Sequence, residues 1–372
     1  MSLCFLVCLT LLHASTPSAL DNDTLQQENA RFPSALEVVT GNYPRHSDPF
    51  FEWRVADRNM ALVTNAISAE AFDDLAIAHS KLGRTARAVE LMELKEKRYP
   101  GLYTTAANTG TFHIHAGDLE LGLEHLERAL LINPNAHFGR EVYQTLLAKY
   151  LVEVRGTGGA LTLPVCKTEI DPDSSPTSGF WSFIREERKI QPETAEKEIR
   201  LAVRGMMGIM RFGSYDSPIL LEALSDLLIA DVNHDAKRLA TRALLKASYG
   251  VDEEAQREAY RSKARAVIAK QTSDLNNSVS MDLAEIESAF GAELAIANAS
   301  WSKLYNNELK WIADGEDVDA RFADAYDEGT YRTRISSEAR ERTMRKYGKI
   351  AAGLLALIAT AFLVALPKRS KA

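Results

Sequence analysis

One segment in the first half of this chain repeats directly, and this repeat constrains the fold more than any other feature. Residues 69–102 align without a gap to residues 103–136. The matching pairs are His79 with His113, Gly83 with Gly117, Met92 with Leu126, and Pro100 with Pro134. The members of each pair are about 34 residues apart, a period typical of a helix–turn–helix unit that buries its apolar face against a neighbouring unit. The spacing therefore predicts stacked antiparallel helix pairs, and hence an all-α protein.

The apolar residues of each unit also recur at helical spacing. The inner stripes of the first unit are Phe72, Leu75 and Ala76 on its first helix, with Ala88 and Met92 on its second. Gly83 permits a tight turn between the two helices, and Pro100 ends the second helix. The second unit repeats the pattern through Gly110, Gly117, Leu126, Ala129 and Pro134.

With these residues, the segment 69–136 resembles the tetratricopeptide repeat family. The resemblance implies a fold of stacked helix pairs whose first helices line a groove for a protein or peptide partner. The sequence departs from the family pattern where histidine replaces the usual aromatic residue, where a lysine takes a small-residue position, and in the first helix of the second unit. These departures are His79, His113, Lys95, Ala106 and Thr109.

The groove side of the first helices supplies the candidate partner-binding residues. By repeat position they are Glu70, Asp73, Asp74, Ile77 and Lys81 in the first unit, and Thr104, Asn108, Thr111 and His115 in the second, followed by Glu141 and Lys149. Family members that hold the terminal carboxylate of a peptide use lysine and arginine here, whereas this chain has acids. Because acids repel an acidic ligand, we expect a partner with a basic or extended segment. The alternative is that the three acids form only a solvated helix face.

Helical patterns continue beyond the two units. A capping helix extends the repeats to residues 69–155, and its apolar stripe consists of Phe138, Val142, Leu146, Leu147 and Tyr150. Residues 156–180 contain the glycine, proline and serine clusters of a linker. We expect a helical region at 181–331, in which residues 221–254 form either a degenerate third repeat or a simple helical hairpin. A long amphipathic helix is predicted after residue 282.

Both ends of the chain contain apolar, uncharged stretches. Residues 1–19 combine a short apolar run with small residues and predict a signal peptide, followed by a lead-in at 20–68. Residues 350–367 form a second uncharged stretch. Its length is near the short end of the range of about 17–25 residues that spans a bilayer, so we expect a transmembrane helix. A charged stalk at 332–349 precedes it, and a basic tail at 368–372 follows it.

Two membrane topologies are consistent with these segments. A cleaved signal and a C-terminal membrane helix place the body outside the cytoplasm, as a single-pass protein with Cys166 as the one cysteine of the mature chain. Five basic residues before the helix outnumber three after it, which favours the reverse, a cytosolic body with a tail anchor. They are Arg340, Arg342, Arg345, Lys346 and Lys349, against Lys368, Arg369 and Lys371. Because the N-terminal segment resembles a signal peptide, we expect the body to lie outside the cytoplasm, and the tail-anchored cytosolic body is the alternative.

The sequence offers no motif for catalysis or for a cofactor. The formal net charge of −7 disfavours a nucleic-acid partner, and no phosphate-binding loop or hydrolase motif is present. His113 and His115 are two positions apart, so a helix points them in different directions and they make a poor metal pair. Asp231 begins a calcium-like pattern, but Ala236 and Arg242 occupy the positions that require glycine and glutamate.

The sequence therefore predicts a membrane-anchored tetratricopeptide-type scaffold or adaptor for protein–protein interaction at the cell envelope, without catalytic residues, metal or cofactor. The alternative from another functional class is an enzyme or metal-binding protein that uses His113, His115 or Asp231.

Overall fold

The computed structural model describes residues 33–134, 139–155, 159–166, 179–231, 234–269 and 282–326. Within these ranges the structure consists of fourteen helices and the segments that join them, with no β-strand. The helices are α1 (Ala35–Thr40), α2 (Asp48–Val63), α3 (Ala69–Lys81), α4 (Thr85–Arg98), α5 (Tyr103–Ala116), α6 (Leu119–Ile132), α7 (Arg140–Val154), α8 (Phe180–Glu187), α9 (Pro192–Phe212), α10 (Pro218–Ala230), α11 (His234–Tyr249), α12 (Glu254–Ala269), α13 (Leu283–Ala313) and α14 (Val318–Tyr326). The all-α class is confirmed for the described residues.

The expected membrane helix at 350–367 lies outside the described residues. The signal peptide at 1–19, the stalk at 332–349 and the basic tail at 368–372 also lie outside them. Among the helices that the structure does describe, none is both long enough and apolar enough to span a bilayer. The longest, α13, has 31 residues and buries apolar side chains along one side, which confirms the amphipathic helix predicted after residue 282.

The repeat in the sequence appears as two packed helix pairs. Helices α3 and α5 begin at Ala69 and Tyr103, and helices α4 and α6 begin at Thr85 and Leu119. Both helices of a pair thus recur with the same period as the sequence. Helix α3 packs against α4, α4 against α5, and α5 against α6. Packed helix pairs that recur with the sequence repeat are therefore present between Ala69 and Ile132.

Matching glycines end the first helix of each pair in the same way. Gly83 has a φ of 74° and Gly117 a φ of 89°, a left-handed region that glycine enters without steric cost. In both turns the N–H of the residue after the glycine donates back to the carbonyl oxygen of a histidine. Arg84 donates to His79 at 2.8 Å, and Asp118 donates to His113 at 2.9 Å. The repeated glycine therefore encodes a repeated helix C-terminus.

Helices α5 and α6 approach each other closely at two facing glycines. A Cβ atom added to Gly110 would lie 2.9 Å from the carbonyl oxygen of Gly122 and 2.9 Å from Cγ of Leu126. A Cβ atom on Gly122 would lie 2.6 Å from the side chain of Ile114. Real Cβ contacts are longer, so a side chain at either position forces the two helices apart.

Helix packing continues beyond the repeats. Helix α7 packs against α6, α8 and α9. Helices α10 and α11 form a packed hairpin across most of residues 221–254, and α12 packs against α11. Ser217 caps α10, because its Oγ accepts a hydrogen bond from the N–H of Leu220 at 3.5 Å. A helical hairpin is thus present where the sequence predicted either a hairpin or a third repeat.

Part of the expected linker at 156–180 lies in the protein core. Within its described residues 159–166, Val165 and Cys166 are buried, and their N–H groups donate to the Glu222 carboxylate at 2.7 and 3.0 Å. Tyr260 also donates to this carboxylate, at 3.1 Å. A buried carboxylate on α10 therefore fixes this stretch of backbone in the core.

Helix α13 connects late helices with the first ones. It packs against α11 and also against α2, which lies near the beginning of the described chain. Arg242 of α11 forms a two-pronged ion pair with Glu293 at 2.7 and 2.9 Å, and Trp301 contacts Arg45 before α2. Helices α1 to α13 thus form one compact unit, which ends at Ala313, whereas α14 belongs to a second unit.

Candidate functional site

A cavity of about 760 Å³ lies in the compact unit formed by α1 to α13. Its walls come from α3, α5 and α7, from the C-terminal end of α9, from the start of α10, and from the segment that leads into α2. Trp301 of α13 contributes to the wall as well. Aliphatic and aromatic side chains make up much of this lining, and charged groups are interspersed among them. A concave, largely apolar cavity with a few polar groups is typical of a ligand-binding site.

Four of the nine predicted groove residues lie on the cavity wall. They are Ile77 and Lys81 of α3 and Thr111 and His115 of α5. Glu141 of α7, which follows them in the repeat pattern, lines the cavity too. The structure therefore brings together the last turns of two helices that the repeat made equivalent, and adds the first turn of the helix that caps them.

Three other predicted groove residues are buried between helices instead. Lys95 of α4 donates to Asp73 at 2.6 Å and to Thr104 at 2.7 Å, and Asn108 donates to Asp73 at 2.9 Å. All four of these residues are buried. Burial raises the pKa of the Asp73 carboxyl to about 7, although Lys95 opposes the shift. These residues join α3, α4 and α5, so the expectation that they face a ligand is corrected.

The remaining two predicted residues are acids that do not line the cavity either. Asp74 is buried and accepts hydrogen bonds from Arg58 of α2 at 3.0 and 3.1 Å, whereas Glu70 is exposed at the start of α3. With Asp73 bound to Lys95, two of the three acids that motivated a basic partner are neutralised by neighbouring helices. None of these three acids lies on the cavity wall, so they do not favour a basic ligand in the cavity.

Lys81 links two walls of the cavity. Its Nζ donates to the carbonyl oxygens of Phe212 and Gly213, at 2.7 and 2.5 Å, where α9 ends. The last carbonyl groups of a helix have no partner within the helix and carry partial negative charge. A lysine at this position therefore stabilises the end of α9, and it fixes α9 relative to α3.

Polar, uncharged contacts join neighbouring helices at the cavity wall. Gln144 Nε2 donates to Thr111 Oγ1 at 2.9 Å, and the Thr111 hydroxyl donates to the carbonyl oxygen of Ala107 at 2.9 Å. His115 Nδ1 lies 3.5 Å from Ser80 Oγ. Desolvation, assisted by the nearby Lys81 charge, lowers the pKa of the His115 imidazole to about 4. The imidazole is therefore neutral at pH 7 and adds no charge to this wall.

Buried charges meet where α7 begins. Arg140 and Glu141 are 5 % and 2 % exposed, and Arg140 Nη2 donates to Glu141 Oε1 at 3.1 Å. The guanidinium groups of Arg140 and Arg211 lie 5.0 and 5.2 Å from the ring centre of Phe212. Neither arginine is predictable from the repeat, because Arg140 begins α7 in an irregular part of the pattern and Arg211 lies on α9, outside the repeats.

The cation Arg45 lies over two aromatic rings at the cavity wall. The Arg45 guanidinium lies 4.6 Å from the ring centre of Tyr215 and 4.0 Å from that of Trp301. Lys246 Nζ approaches the same tyrosine ring at 3.9 Å. Such cation–π contacts each contribute about 0.5–2 kcal/mol. No spacing in the sequence relates these residues, since they come from distant parts of the chain.

The residues named for the metal-binding alternative lie in other environments. The imidazole of His113 stacks on that of His125, with ring centres 5.6 Å apart, whereas His115 faces the cavity. Asp231 follows the last residue of α10. In the described ranges of the chain, no group of three histidine, cysteine or acidic side chains is placed to hold a metal ion.

In the described residues, the fold is all-helical and built from packed helix pairs, with a cavity lined by helices of the repeats and by later helices. Comparison with known protein families, with curated proteins and with solved structures found no match.

Proposed function

We propose that this protein is a membrane-anchored scaffold of the tetratricopeptide type, which binds a peptide segment of a protein partner in its central cavity. The observation that carries the proposal is the position of the cavity. Its wall includes the inner faces of α3 and α5, which are the equivalent first helices of the two repeats, together with α7. Ile77, Lys81, Thr111 and His115, which repeat position identifies as groove residues, contribute to that wall.

The size of the cavity supports binding of a short segment. Ligand sites in proteins usually enclose about 300–1,000 Å³, and the volume of about 760 Å³ lies within this range. Such a volume accommodates a few side chains of an extended peptide. The wall is preorganised by the contacts of Lys81 with α9 and of Gln144 with Thr111, which lowers the entropic cost of binding.

Site-specific photo-cross-linking tests this location. A photoreactive amino acid replaces Gln144 in the cavity wall, and a control protein carries it at Leu121, which is 47 % exposed on α6 and does not line the cavity. We expect the Gln144 position to give discrete adducts with partner peptides, identified by mass spectrometry, that the Leu121 position does not give. Equal adducts from both positions would contradict binding in the cavity.

The membrane anchor is proposed from residues 350–367. Their uncharged apolar composition and the basic tail that follows favour one C-terminal span, and residues 1–19 favour a body outside the cytoplasm. Reporter fusions at residue 20 and at the C-terminus test this topology, because the two ends should report opposite compartments. Release of the protein by deletion of 350–372 tests the anchor. A body fusion that is active only in the cytosol supports the tail-anchored alternative.

A further inference from the structure

The Glu141 carboxylate has one oxygen in use and one oxygen that lacks a donor at the cavity wall. Glu141 is 2 % exposed and lies in the first turn of α7, where its charge is stabilised by the helix N-terminus. Its Oε1 accepts a hydrogen bond from Arg140 at 3.1 Å. Nowhere in the described part of the chain does a group donate to Oε2. A buried carboxylate oxygen that accepts no hydrogen bond is costly, so this position calls for a donor from outside the chain.

We propose that Oε2 of Glu141 accepts a hydrogen bond from an uncharged N–H group, the backbone amide of an extended and mostly apolar peptide segment. This inference rests on the proposed function, and it specifies which chemical group of the peptide binds at Glu141 in the same cavity. Extended peptides present backbone N–H groups that are not used within the peptide itself, and they insert alternate side chains into pockets. Glu141 then determines which segment is bound and in which register.

The charges around Glu141 favour a neutral donor. A cationic ligand group would meet Arg140, which already pairs with Glu141, and Arg211, whose guanidinium lies near the same phenylalanine ring. An anionic group would meet the Glu141 carboxylate itself. Because a charge of either sign is opposed by one of these buried groups, an uncharged N–H is the best match for Oε2.

The apolar part of the cavity wall indicates which side chains the rest of the peptide segment carries. Ile77 and Leu147 line the cavity on helices α3 and α7, and Ile219 lines it at the start of α10. These residues bury an aliphatic or aromatic side chain more favourably than a polar one, at about 25 cal/mol per Å² of apolar surface removed from water. The expected ligand therefore combines an exposed backbone amide with apolar neighbours, and requires no lysine, arginine or acidic residue.

Selection from a library of displayed random peptides tests the inference with the full-length protein in lipid nanodiscs. Peptides are selected on the wild-type protein and then measured against Ser80→Trp, which fills the cavity from α3, and against Glu141→Leu and Glu141→Gln. Each peptide is also synthesised with a methyl group on one backbone nitrogen at a time, which removes that N–H without changing the protein. Circular dichroism verifies that every variant is folded.

We expect apolar peptides that bind the wild-type protein and are lost with Ser80→Trp. Loss of a hydrogen bond to a charged group predicts about 10- to 100-fold weaker binding to Glu141→Leu, and a smaller loss with Glu141→Gln, which keeps an acceptor. N-methylation at one position should weaken binding to the wild-type protein by a similar factor, and should have no further effect on Glu141→Leu.

Three outcomes would overturn the inference alone while leaving a peptide-binding cavity in place. The first is unchanged binding to Glu141→Leu, which would mean that water satisfies Oε2. The second is full additivity of the losses caused by N-methylation and by Glu141→Leu. The third is a requirement for lysine or arginine in the selected peptides. If no peptide is selected, or if selected peptides bind Ser80→Trp as well as the wild-type protein, the proposed function fails together with the inference.

Discussion

At the scale of single residues, Lys95 shows how a departure from a repeat pattern is compensated. The position takes a small residue in the family that the repeat resembles, and here a lysine is completely buried. Asp73 supplies the opposite charge at 2.6 Å, and Thr104 accepts a second hydrogen bond at 2.7 Å. Burying an ammonium group requires such partners, because desolvation otherwise costs several kcal/mol. The lysine and the aspartate are therefore expected to depend on each other.

Substitution of Lys95 by methionine tests this dependence. The change leaves the Asp73 carboxylate buried without its counter-charge, so we expect the free energy of unfolding at pH 7 to fall by about 3–5 kcal/mol in urea titrations. The double variant Asp73→Asn/Lys95→Met should recover part of this loss, because it removes both charges. Lys97→Met, at an exposed position of the same helix, is the control and should change stability by less than about 0.5 kcal/mol. Equal effects of the two lysine substitutions would contradict the role assigned to the pair.

The lowered pKa of His115 predicts a pH dependence of stability. The unfolded chain takes up a proton as the pH falls below about 6.5, whereas the folded protein resists protonation at this imidazole. Stability that His115 contributes at neutral pH is therefore lost as the pH decreases. We expect the melting temperature of the wild-type protein to drop more between pH 7 and pH 5 than that of His115→Asn. Parallel curves for the two proteins would show that His115 is not desolvated.

The residues of the candidate site are partly accessible to sequence reasoning. The repeat register identifies one face of each first helix, and Ile77, Lys81, Thr111 and His115 at the cavity end of that face do line the wall. The register carries no information on which neighbouring helix covers the other end of the face. Repeat position therefore assigns Asp73 to the groove, although Lys95 buries it.

At the scale of elements, the helix pairs follow local rules that are visible in the sequence. The glycines Gly83 and Gly117 end equivalent helices, and the helix starts recur with the sequence period. The helical hairpin near residues 221–254 is also predictable, from apolar spacing and Pro218. The described stretch 159–166 is not, because its contacts with Glu222 depend on a helix much later in the chain. Composition indicates a linker there, although Val165 and Cys166 are core residues.

Because α5 and α6 are in close contact, replacement of a glycine by alanine should have opposite effects at this contact and at an open position on α13. Gly110→Ala places a methyl group 2.9 Å from a backbone oxygen and should destabilise the protein by about 1–3 kcal/mol. Gly291→Ala on α13 is the matched control, since a Cβ atom there has no neighbour within 4 Å. Alanine should stabilise that helix by about 0.5–1 kcal/mol. Chemical denaturation measures both values, and a stabilising Gly110→Ala would refute the contact.

At the scale of the whole compact unit of helices α1 to α13, Glu308 of α13 fixes a late helix to the start of an early one. It is fully buried, accepts a hydrogen bond from the Ser47 N–H at 2.9 Å, and lies 2.7 Å from His46 Nδ1. Ser47 is the N-cap residue of α2, so one carboxylate near the end of the unit binds the start of a helix near its beginning. No periodicity in the sequence reveals a pairing at such a distance.

Replacement of Glu308 by leucine tests this connection. The variant leaves the Ser47 N–H buried without an acceptor, and we expect the free energy of unfolding to decrease by roughly 2–4 kcal/mol. Hydrogen exchange should accelerate at residues 43–50 in particular, because α2 loses its contact with α13. Glu285→Gln, at an exposed position on α13, is the control. Unchanged exchange at residues 43–50 would show that α13 does not hold the start of α2.

The contact of α13 with both α2 and α11 affects how the compact unit of helices α1 to α13 folds. An open array of repeats gains stability from nearest neighbours and unravels from its ends. Here α13 joins the early and late parts of the array, together with the packing of α1 on α9 and α11, and these contacts protect the first pairs from fraying. The contacts of α13 form only after this helix has been synthesised, and they add to the contacts between residues that are far apart in the sequence. We therefore expect its helices to fold quickly in succession and the cavity to form last, in a single cooperative step.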